Sequence, residues 1–433
     1  MKKIITNANF CHIHNHTEFS SFDGLNKISE FPALARSMGF KALGITDHGN
    51  IAGTIKFFKE CLKTHDSDGN PLSTDPIIPI LGCEMYLSKN RHAKSKTEQT
   101  DGRKGNRHIL LLAKNFEGYR NLCSLSEISW TEGFYGDPRI DFELLEKYHK
   151  GLMCSSACLS SVVNSNLLNG RYDIAKKVAT KLKDIFKDDF YLEVMFHGID
   201  AERYIIPDIF KLGEELNIKI VASNDCHYSK KEDGKSHEVL MCMSTSRCIK
   251  DDKRLRFPYH EFYLKSAEEM AMIFKGHESA LYNTNEIYQK VDVDNLKINF
   301  GGMRLPNFPL PSGFSDPFEY LKFLSFEGLK ESGLEKSEKH LVRLKMELDD
   351  IKIAKDNNNY DFATYFLIVR DYINYSRENN ILTGCGRGSG FGSLLLKCLG
   401  ITYGVDPLEH DLLWERFLGF DSKKFVKLSD FYE

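Results

Sequence analysis

CHIHNHTEFSSFDG, residues Cys11–Gly24, holds the first group of side chains able to bind a metal. His14 and His16 stand two residues apart, and in an extended strand such residues face the same side. Asp23 follows on a Ser/Asp/Gly loop that can fold back toward them. Two imidazoles and a carboxylate suit zinc or manganese. Because HxH pairs are also common on surfaces and in cores, the metal hypothesis depends on further ligands.

Outward from this segment, to about residue 245, short apolar runs alternate with helical patterns. The apolar runs are Asn9–His16, Ala42–Thr46, Ile77–Leu87, His108–Ala113, Gly151–Ser155, Tyr191–Met195 and Ile218–Ser223. The helical patterns are Ile28–Met38, Ile51–Lys63, Phe116–Ile128, Tyr172–Phe186 and Tyr204–Leu216. This alternation predicts a parallel, barrel-like β/α fold. In such barrels the active site lies at the carboxyl ends of the strands.

Residues that metals use recur at or just after these apolar runs. They are His48, Glu84, His108, Cys158, Asp225 and His227. A single such residue carries little weight. Because Asp225 and His227 share one segment, these residues stand at five sites, and five sites in addition to the opening HxH pair are unlikely to be chance. Clustered acids and imidazoles are also costly to bury without a compensating charge, which favours a metal centre.

Six segments in this order resemble the PHP domain of the bacterial DNA polymerase III alpha family: HNHTEFSSFDG, TDHGN, GCEMY, HILLLA, SSACLS and SNDCHY. The resemblance implies a PHP-type distorted β/α barrel holding up to three Zn²⁺ or Mn²⁺ ions. The implied metal ligands are His14, His16, Asp23, His48, Glu84, His108, Cys158, Asp225 and His227.

The same resemblance implies a 3′–5′ exonuclease that removes a terminal nucleotide from a single-stranded DNA 3′ end. Asp23, Asp225, His14 and His16 are the implied catalytic residues. The chemistry agrees, since metal ions about 3.5–4 Å apart can hold the attacking and leaving oxygens of a phosphodiester. Activated water would then attack the phosphorus.

The composition is that of an ordinary globular protein. The chain has 433 residues, 27% of them charged, and a net charge of -3, so nucleic acid must be bound by local basic patches. Eleven irregularly spaced cysteines predict reduced thiols, and no apolar run is long enough to cross a bilayer. Without a signal-peptide pattern at MKKIITNANF, we expect a cytoplasmic protein with no membrane partner.

A second region follows the proline-rich connector Leu305–Pro317. Ser337–Ile353 and Phe362–Tyr375 have the apolar spacing of core-packed helices. In the loop of ILTGCGRGSGFGSLLLKCLGI, residues 381–401, the glycines allow close backbone approach. The N–H groups at the start of the next helix and a guanidinium could bind phosphates. A flexible turn before a core helix explains the loop equally well.

With its flanking segments, this loop resembles the start of the family's palm, which has a Pol β-like nucleotidyltransferase fold. By resemblance the phosphates of an incoming dNTP would be bound by Gly386, Arg387, Gly388 and Ser389. Mg²⁺ would serve nucleotidyl transfer on primer–template DNA. The expected domains are residues 1–280, the PHP domain, and 281–433, the amino-terminal part of the palm.

The family's PDxDxDF segment has no counterpart here, where Asp421 and Asp430 are isolated. We therefore expect the chain to need a second polypeptide that supplies the palm aspartates and contacts the sliding clamp and replisome. Two alternative functions remain open. One is a free-standing PHP phosphoesterase acting on a small phosphate monoester, and the other is a non-catalytic PHP scaffold bracing a polymerase.

Overall fold

The structure is a computed structural model that describes residues 4–94, 107–296, 298, 305–358, 360–386, 388–418, 420–421 and 424–425. The chain forms two compact units, Met1–Ile298 and Asn299–Glu433. None of the helices in the described parts of the chain combines the length and apolarity that a membrane crossing requires.

A curled seven-stranded sheet forms the centre of the first unit. Its strands are β1 (Ala42–Ile45), β2 (Ile78–Leu87), β3 (Arg107–Ala113), β4 (Arg139–Ile140), β5 (Leu152–Ser155), β6 (Phe190–Val194) and β7 (Lys219–Ala222). Their order is β1-β2-β3-β5-β6-β7, with β4 paired to β2. The sheet confirms the predicted barrel-like α/β fold.

The prediction of an entirely parallel sheet is wrong at β3. This strand runs antiparallel to both β2 and β5, whereas β1 and β2, β5 and β6, and β6 and β7 pair in parallel. The described residues between β2 and β3 include no crossover helix, and parallel neighbours need such a crossover. The reversal brings the start of β3 to the same end of the sheet as the end of β2.

Ten helices are described around this sheet. They are α1 (Phe31–Ser37), α2 (Thr54–Cys61), α3 (Phe116–Thr131), α4 (Phe142–Tyr148), α5 (Asn164–Leu168), α6 (Tyr172–Phe186), α7 (Asp200–Leu216), α8 (Gly234–Ser244), α9 (Ala267–Ile273) and α10 (Glu278–Gln289). The longer ones are amphipathic: α6 buries Ala175, Ala179 and Leu182, one helical turn apart, and leaves its lysines outside.

The segment that carries His14 and His16 is extended but is not the regular strand that the sequence predicts. It makes isolated bridges, His12 to Leu43 and Asn15 to Cys226. The N–H of Thr46 donates to Asn15 O at 2.9 Å, and that of His16 donates to Cys226 O at 2.8 Å. The segment therefore lies between β1 and the residues that follow β7, bonded to each in turn.

The end of the first unit lies beyond the predicted boundary. Residues 280 and 281 fall inside α10, which packs against β7, and Asn283 Nδ2 donates to Ile220 O at 2.7 Å. Helix α10 thus completes the core of the first unit, which continues to Ile298.

The second unit is mainly helical where it is described. Its elements are α11 (Pro317–Glu331), α12 (Glu338–Asn358), α13 (Phe362–Glu378), α14 (Leu394–Cys398), β8 (Phe420–Asp421) and β9 (Lys424–Phe425). Helices α12 and α13 confirm the two predicted helical patterns. Leu321, Leu344, Leu348 and Trp414 are buried in the core of this unit.

Candidate metal centre

All nine predicted metal ligands lie at one end of the curled sheet. His48 follows β1, Cys158 follows β5, and Asp225 follows β7. Glu84 lies within β2, and His108 near the start of the antiparallel β3 pairs in register with Tyr86. Parallel and antiparallel strands thus both contribute side chains to this end of the sheet.

Glu84 occupies the middle of this cluster and is almost fully buried. Its Oε2 atom lies 2.7 Å from His48 Nδ1, and its Oε1 atom lies 3.0 Å from His108 Nδ1 and 3.4 Å from His14 Nε2. One carboxylate therefore faces three imidazoles from three different segments of the chain.

The two aspartates complete the cluster from opposite ends of the sequence. Asp225 Oδ1 lies 3.1 Å from His16 Nε2, and Asp23 Oδ2 lies 3.3 Å from His48 Nε2 and 3.8 Å from His227 Nε2. The loop carrying Asp23 folds back as predicted, closed where Gly24 N donates to Ser20 O at 2.7 Å. Asp225 has a φ of 43°, an unfavourable conformation of the kind often found at functional sites.

Many polar atoms of this cluster face one another without hydrogen-bond geometry. Among the described residues, the buried side-chain atoms that have no hydrogen-bond partner include His14 Nε2, His16 Nε2, Asp23 Oδ1, His48 Nδ1, both Glu84 oxygens and Asp225 Oδ1. Buried unpaired polar atoms are costly, and bound cations would satisfy them. The donor set of imidazoles and carboxylates fits Zn²⁺ or Mn²⁺.

Three overlapping groups have ligand atoms within 4.8 Å of one another. The groups are His16, His48 and His227; His14, His16 and Glu84; and His48, Glu84 and His108. Glu84, His16 and His48 each belong to two of the three groups. The geometry therefore accommodates more than one divalent cation.

Hydrogen bonds behind the cluster set the orientation of three imidazoles. His14 Nδ1 donates to Glu193 Oε1 at 2.8 Å, and His227 Nδ1 donates to Asp225 O at 2.8 Å. His16 Nδ1 lies 3.1 Å from Ser20 Oγ. With Nδ1 protonated, each ring turns the lone pair of its Nε2 toward the cluster, as a metal ligand must.

The charges of the cluster are strongly coupled. Burial disfavours charged His14, but Asp225 and Glu193 outweigh it and raise the pKa of His14 well above its usual value. Asp23 and Glu84 raise the pKa of His48 in the same way. Burial, together with the positive charges of His48 and His227, lowers the pKa of His16 to about 3.

The pKa values of the carboxylates in the cluster are shifted downward by the neighbouring imidazoles. Burial acts to raise their pKa values, but His108 and His48 hold the pKa of Glu84 well below its usual value. Neighbouring imidazoles likewise hold the pKa values of Asp23 and Asp225 low. The carboxylates therefore stay ionised, the form in which they bind metals.

Cys158 lies at the edge of the cluster, with its Sγ atom 3.4 Å from His108 Nδ1. Burial, with the nearby charges of Glu84 and Asp225, raises the pKa of its thiol well above the usual value. A bound cation would reverse this, since metal-coordinated thiols lose their proton.

Glu193 is a residue that the sequence analysis missed. It is fully buried on β6, where its carboxylate also accepts hydrogen bonds from Ser155 and Ser223. A glutamate inside the apolar run FYLEV is the signal that could have identified it. Asp47 plays a similar part, accepting from Ser20 Oγ at 2.8 Å and thereby orienting the serine that faces His16.

In the second unit, the predicted phosphate loop is an irregular segment. Gly386 and Gly388 have φ values of 125° and 57°, in the region that favours glycine, and Ser389 is exposed in a 3₁₀ turn. Arg387 lies outside the described residues. The following helix, α14, begins at Leu394.

The prediction that this helix offers free N–H groups is wrong for its first turn. The buried Glu347 carboxylate accepts from Leu394 N and Leu395 N, both at 2.9 Å, and from Ser393 Oγ at 2.9 Å. Arg343 in turn donates to Glu347 Oε1 at 2.7 Å. A carboxylate of the chain itself occupies the anion site at this helix terminus.

Comparison with known proteins gives two family matches. Residues 12–197 match the PHP domain, and residues 319–428 match the bacterial DNA polymerase III alpha NTPase domain. Proteins named DNA polymerase III subunit alpha from Borreliella burgdorferi and Helicobacter pylori are each 39% identical over 95% of this chain. The one from Treponema pallidum is 38% identical over 94% of it. The chain spans about a third of the length of these relatives, 33–34%.

Proposed function

Because this chain carries a PHP domain and is related along nearly its whole length to bacterial DNA polymerase III alpha subunits, we propose that its first unit hydrolyses phosphodiesters at single-stranded DNA 3′ ends. The observation that supports this most is the set of unpaired nitrogen and oxygen atoms around Glu84. Divalent cations held there would supply Lewis acidity and a water with a pKa near about 7.

The residues of such a site would have different roles. Asp23, Asp225, His14 and His16 would hold the reacting phosphodiester in register through the cations. Glu84, His48, His108, Cys158 and His227 would complete the ligand set. Glu193 is assigned a positioning part, because its bond to His14 keeps the Nε2 lone pair directed into the cluster.

We expect the second unit to contribute to nucleotidyl transfer in DNA replication. The left-handed glycines Gly386 and Gly388 suit a loop whose backbone approaches the phosphates of a dNTP, with Ser389 and Arg387 as further donors. The N–H groups of Leu394 and Leu395 would not take part, since Glu347 already occupies them.

Primer extension would need further carboxylates, because nucleotidyl transfer uses paired acids to hold Mg²⁺ and the sequence contains no PDxDxDF segment. The eleven cysteines are all free thiols, which supports a reducing compartment, the cytoplasm. Primer extension by the purified chain, with dNTPs and Mg²⁺, would refute this need for further carboxylates.

The exonuclease proposal is tested with the purified full chain, Mn²⁺ or Zn²⁺, and 5′-labelled single-stranded DNA. We expect stepwise shortening from the 3′ end, lost in Asp23→Asn and Asp225→Asn and retained in the exposed control Asp173→Asn. Unchanged cleavage in both aspartate variants would refute the assignment. Hydrolysis of a phosphomonoester but not of DNA would favour a free-standing phosphoesterase instead. Absence of both metal and hydrolysis would favour a scaffold.

A further inference from the structure

An exposed pair of stacked aromatic rings lies in the first unit, at and just beyond the end of α3. The ring centroids of Trp130 and Phe134 are 5.3 Å apart, and the ring planes are inclined by 13°. These residues are 50% and 45% exposed. Two large rings held together in water form an exposed apolar patch whose faces are flat.

This aromatic pair is bonded directly to the backbone of the metal-ligand cluster. Trp130 Nε1 donates to Gly49 O at 2.9 Å, and Gly49 follows the ligand His48. The N–H of Gly49 in turn donates to Glu84 O at 2.8 Å. Gly49 therefore connects the Trp130 indole to the backbone of His48 and Glu84. The aromatic pair thus adjoins the proposed active site.

A cationic side chain is bonded to the backbone of the aromatic pair. Lys94 Nζ donates to Phe134 O at 2.9 Å, which holds an ammonium group beside the rings. The nearby acid Glu132 is paired with Arg91 at 3.1 Å, and the same guanidinium also pairs with Asp141 and Glu143. A further exposed ring, Phe22, precedes the ligand Asp23 and is 70% exposed.

From these contacts, and resting on the proposed hydrolysis of DNA 3′ ends, we propose that Trp130 and Phe134 form a stacking platform for the bases of single-stranded DNA. Every base has a π face, so stacking on aromatic side chains binds a strand with little sequence preference. Bases held on the platform would leave the terminal phosphodiester over the cluster. A small phosphomonoester would gain nothing from it.

Tryptophan fluorescence tests the platform in the full chain. The protein has two tryptophans, and Trp414 is 1% exposed, so quenching by a stacked base reports on Trp130. The chain is titrated in EDTA with oligo(dT) and with an abasic oligonucleotide of equal length and charge. We expect oligo(dT) to quench the fluorescence and to bind more tightly than the abasic strand.

Substitutions identify the rings responsible, with affinity read from the anisotropy of labelled oligo(dT). Trp130→Ala and Phe134→Ala should each weaken binding by roughly 5- to 100-fold, whereas Trp130→Phe, which keeps a ring, stays within about threefold of the parent chain. The control Tyr204→Ala removes an exposed ring on α7, which is 65% exposed, and should leave the affinity unchanged. Thermal unfolding of each variant confirms that it is folded.

Equal binding of oligo(dT) and the abasic strand would overturn the platform, as would unchanged affinity in both alanine variants. Because the titration is done without metal, its outcome is independent of hydrolysis. Base-dependent binding by a chain that never cleaves DNA would refute the proposed function and support the platform. Cleavage without base-dependent binding would support the proposed function and refute the platform.

Discussion

Glu193 and His14 form a buried pair behind the metal-ligand cluster, with His14 Nδ1 donating to Glu193 Oε1 at 2.8 Å. The carboxylate belongs to β6 and the imidazole to the opening segment, so the bond joins two distant parts of the sequence. It fixes which nitrogen of His14 faces Glu84 and Asp225. The pair therefore couples the fold of the sheet to the chemistry of the cluster.

Replacing Glu193 by glutamine should weaken metal binding by about 10–100-fold, the usual effect of losing a residue that orients a ligand. Glutamine has one acceptor oxygen, whereas the carboxylate accepts from His14, Ser155 and Ser223. Competition with a chromophoric chelator measures the change. Glu347→Gln, a buried carboxylate of the second unit, is the control, and equal affinities in the two variants would contradict the prediction.

Metal binding should strengthen as the pH rises from about 6 to 8. Neighbouring carboxylates raise the pKa values of His14 and His48, so in the metal-free chain both carry protons that a cation must displace. Titrations with Zn²⁺ in two buffers of different ionisation enthalpy measure the released protons. A pH-independent affinity with no proton release would show that these histidines are not ligands.

The same shifts predict how the metal-free chain responds to pH. A histidine whose pKa is raised by folding stabilises the folded state below its unfolded value, about 6.5, and this contribution is lost as the pH rises through the folded value. In EDTA, the midpoint temperature of thermal unfolding should therefore decrease as the pH rises above 6.5. With saturating Zn²⁺ the fall should disappear, and identical profiles in both conditions would argue against the cluster as its source.

In the second unit, Glu347→Ala should destabilise the folded state by about 3–5 kcal/mol. Removing this carboxylate leaves Arg343 without its partner and leaves the N–H groups of Leu394 and Leu395 unsatisfied. Denaturant unfolding followed by the fluorescence of the buried Trp414 reports on this unit. A loss below about 1 kcal/mol would mean that water replaces the carboxylate at low cost.

The sequence was sufficient to predict which side chains gather in the cluster, because most of them stand at or next to an apolar run that forms a strand. The sequence did not predict features that depend on how several strands pair with one another. His108 opens its run rather than following it, and the antiparallel direction of β3 is what brings it to the cluster. Strand direction depends on the connection between strands, which the alternation of apolar runs does not encode.

Residues that orient others were hidden from the sequence for a related reason. Glu193 has no motif of its own, and its role comes from the distant partners His14, Ser155 and Ser223. The helix terminus at Leu394 looked free because its acceptor, Glu347, precedes it by almost fifty residues. Propensity and spacing describe neighbours along the chain, whereas these contacts form only on packing.

Metal content tests the central claim most directly. After loading with Zn²⁺ or Mn²⁺ and removal of excess ion, elemental analysis of the purified chain should give whole-number stoichiometry, up to three ions per chain. Glu84→Gln should lose most of this metal, because Glu84 contacts His14, His48 and His108. Metal well below one ion per chain in the parent protein, or equal content in the variant, would contradict a metal-dependent active site.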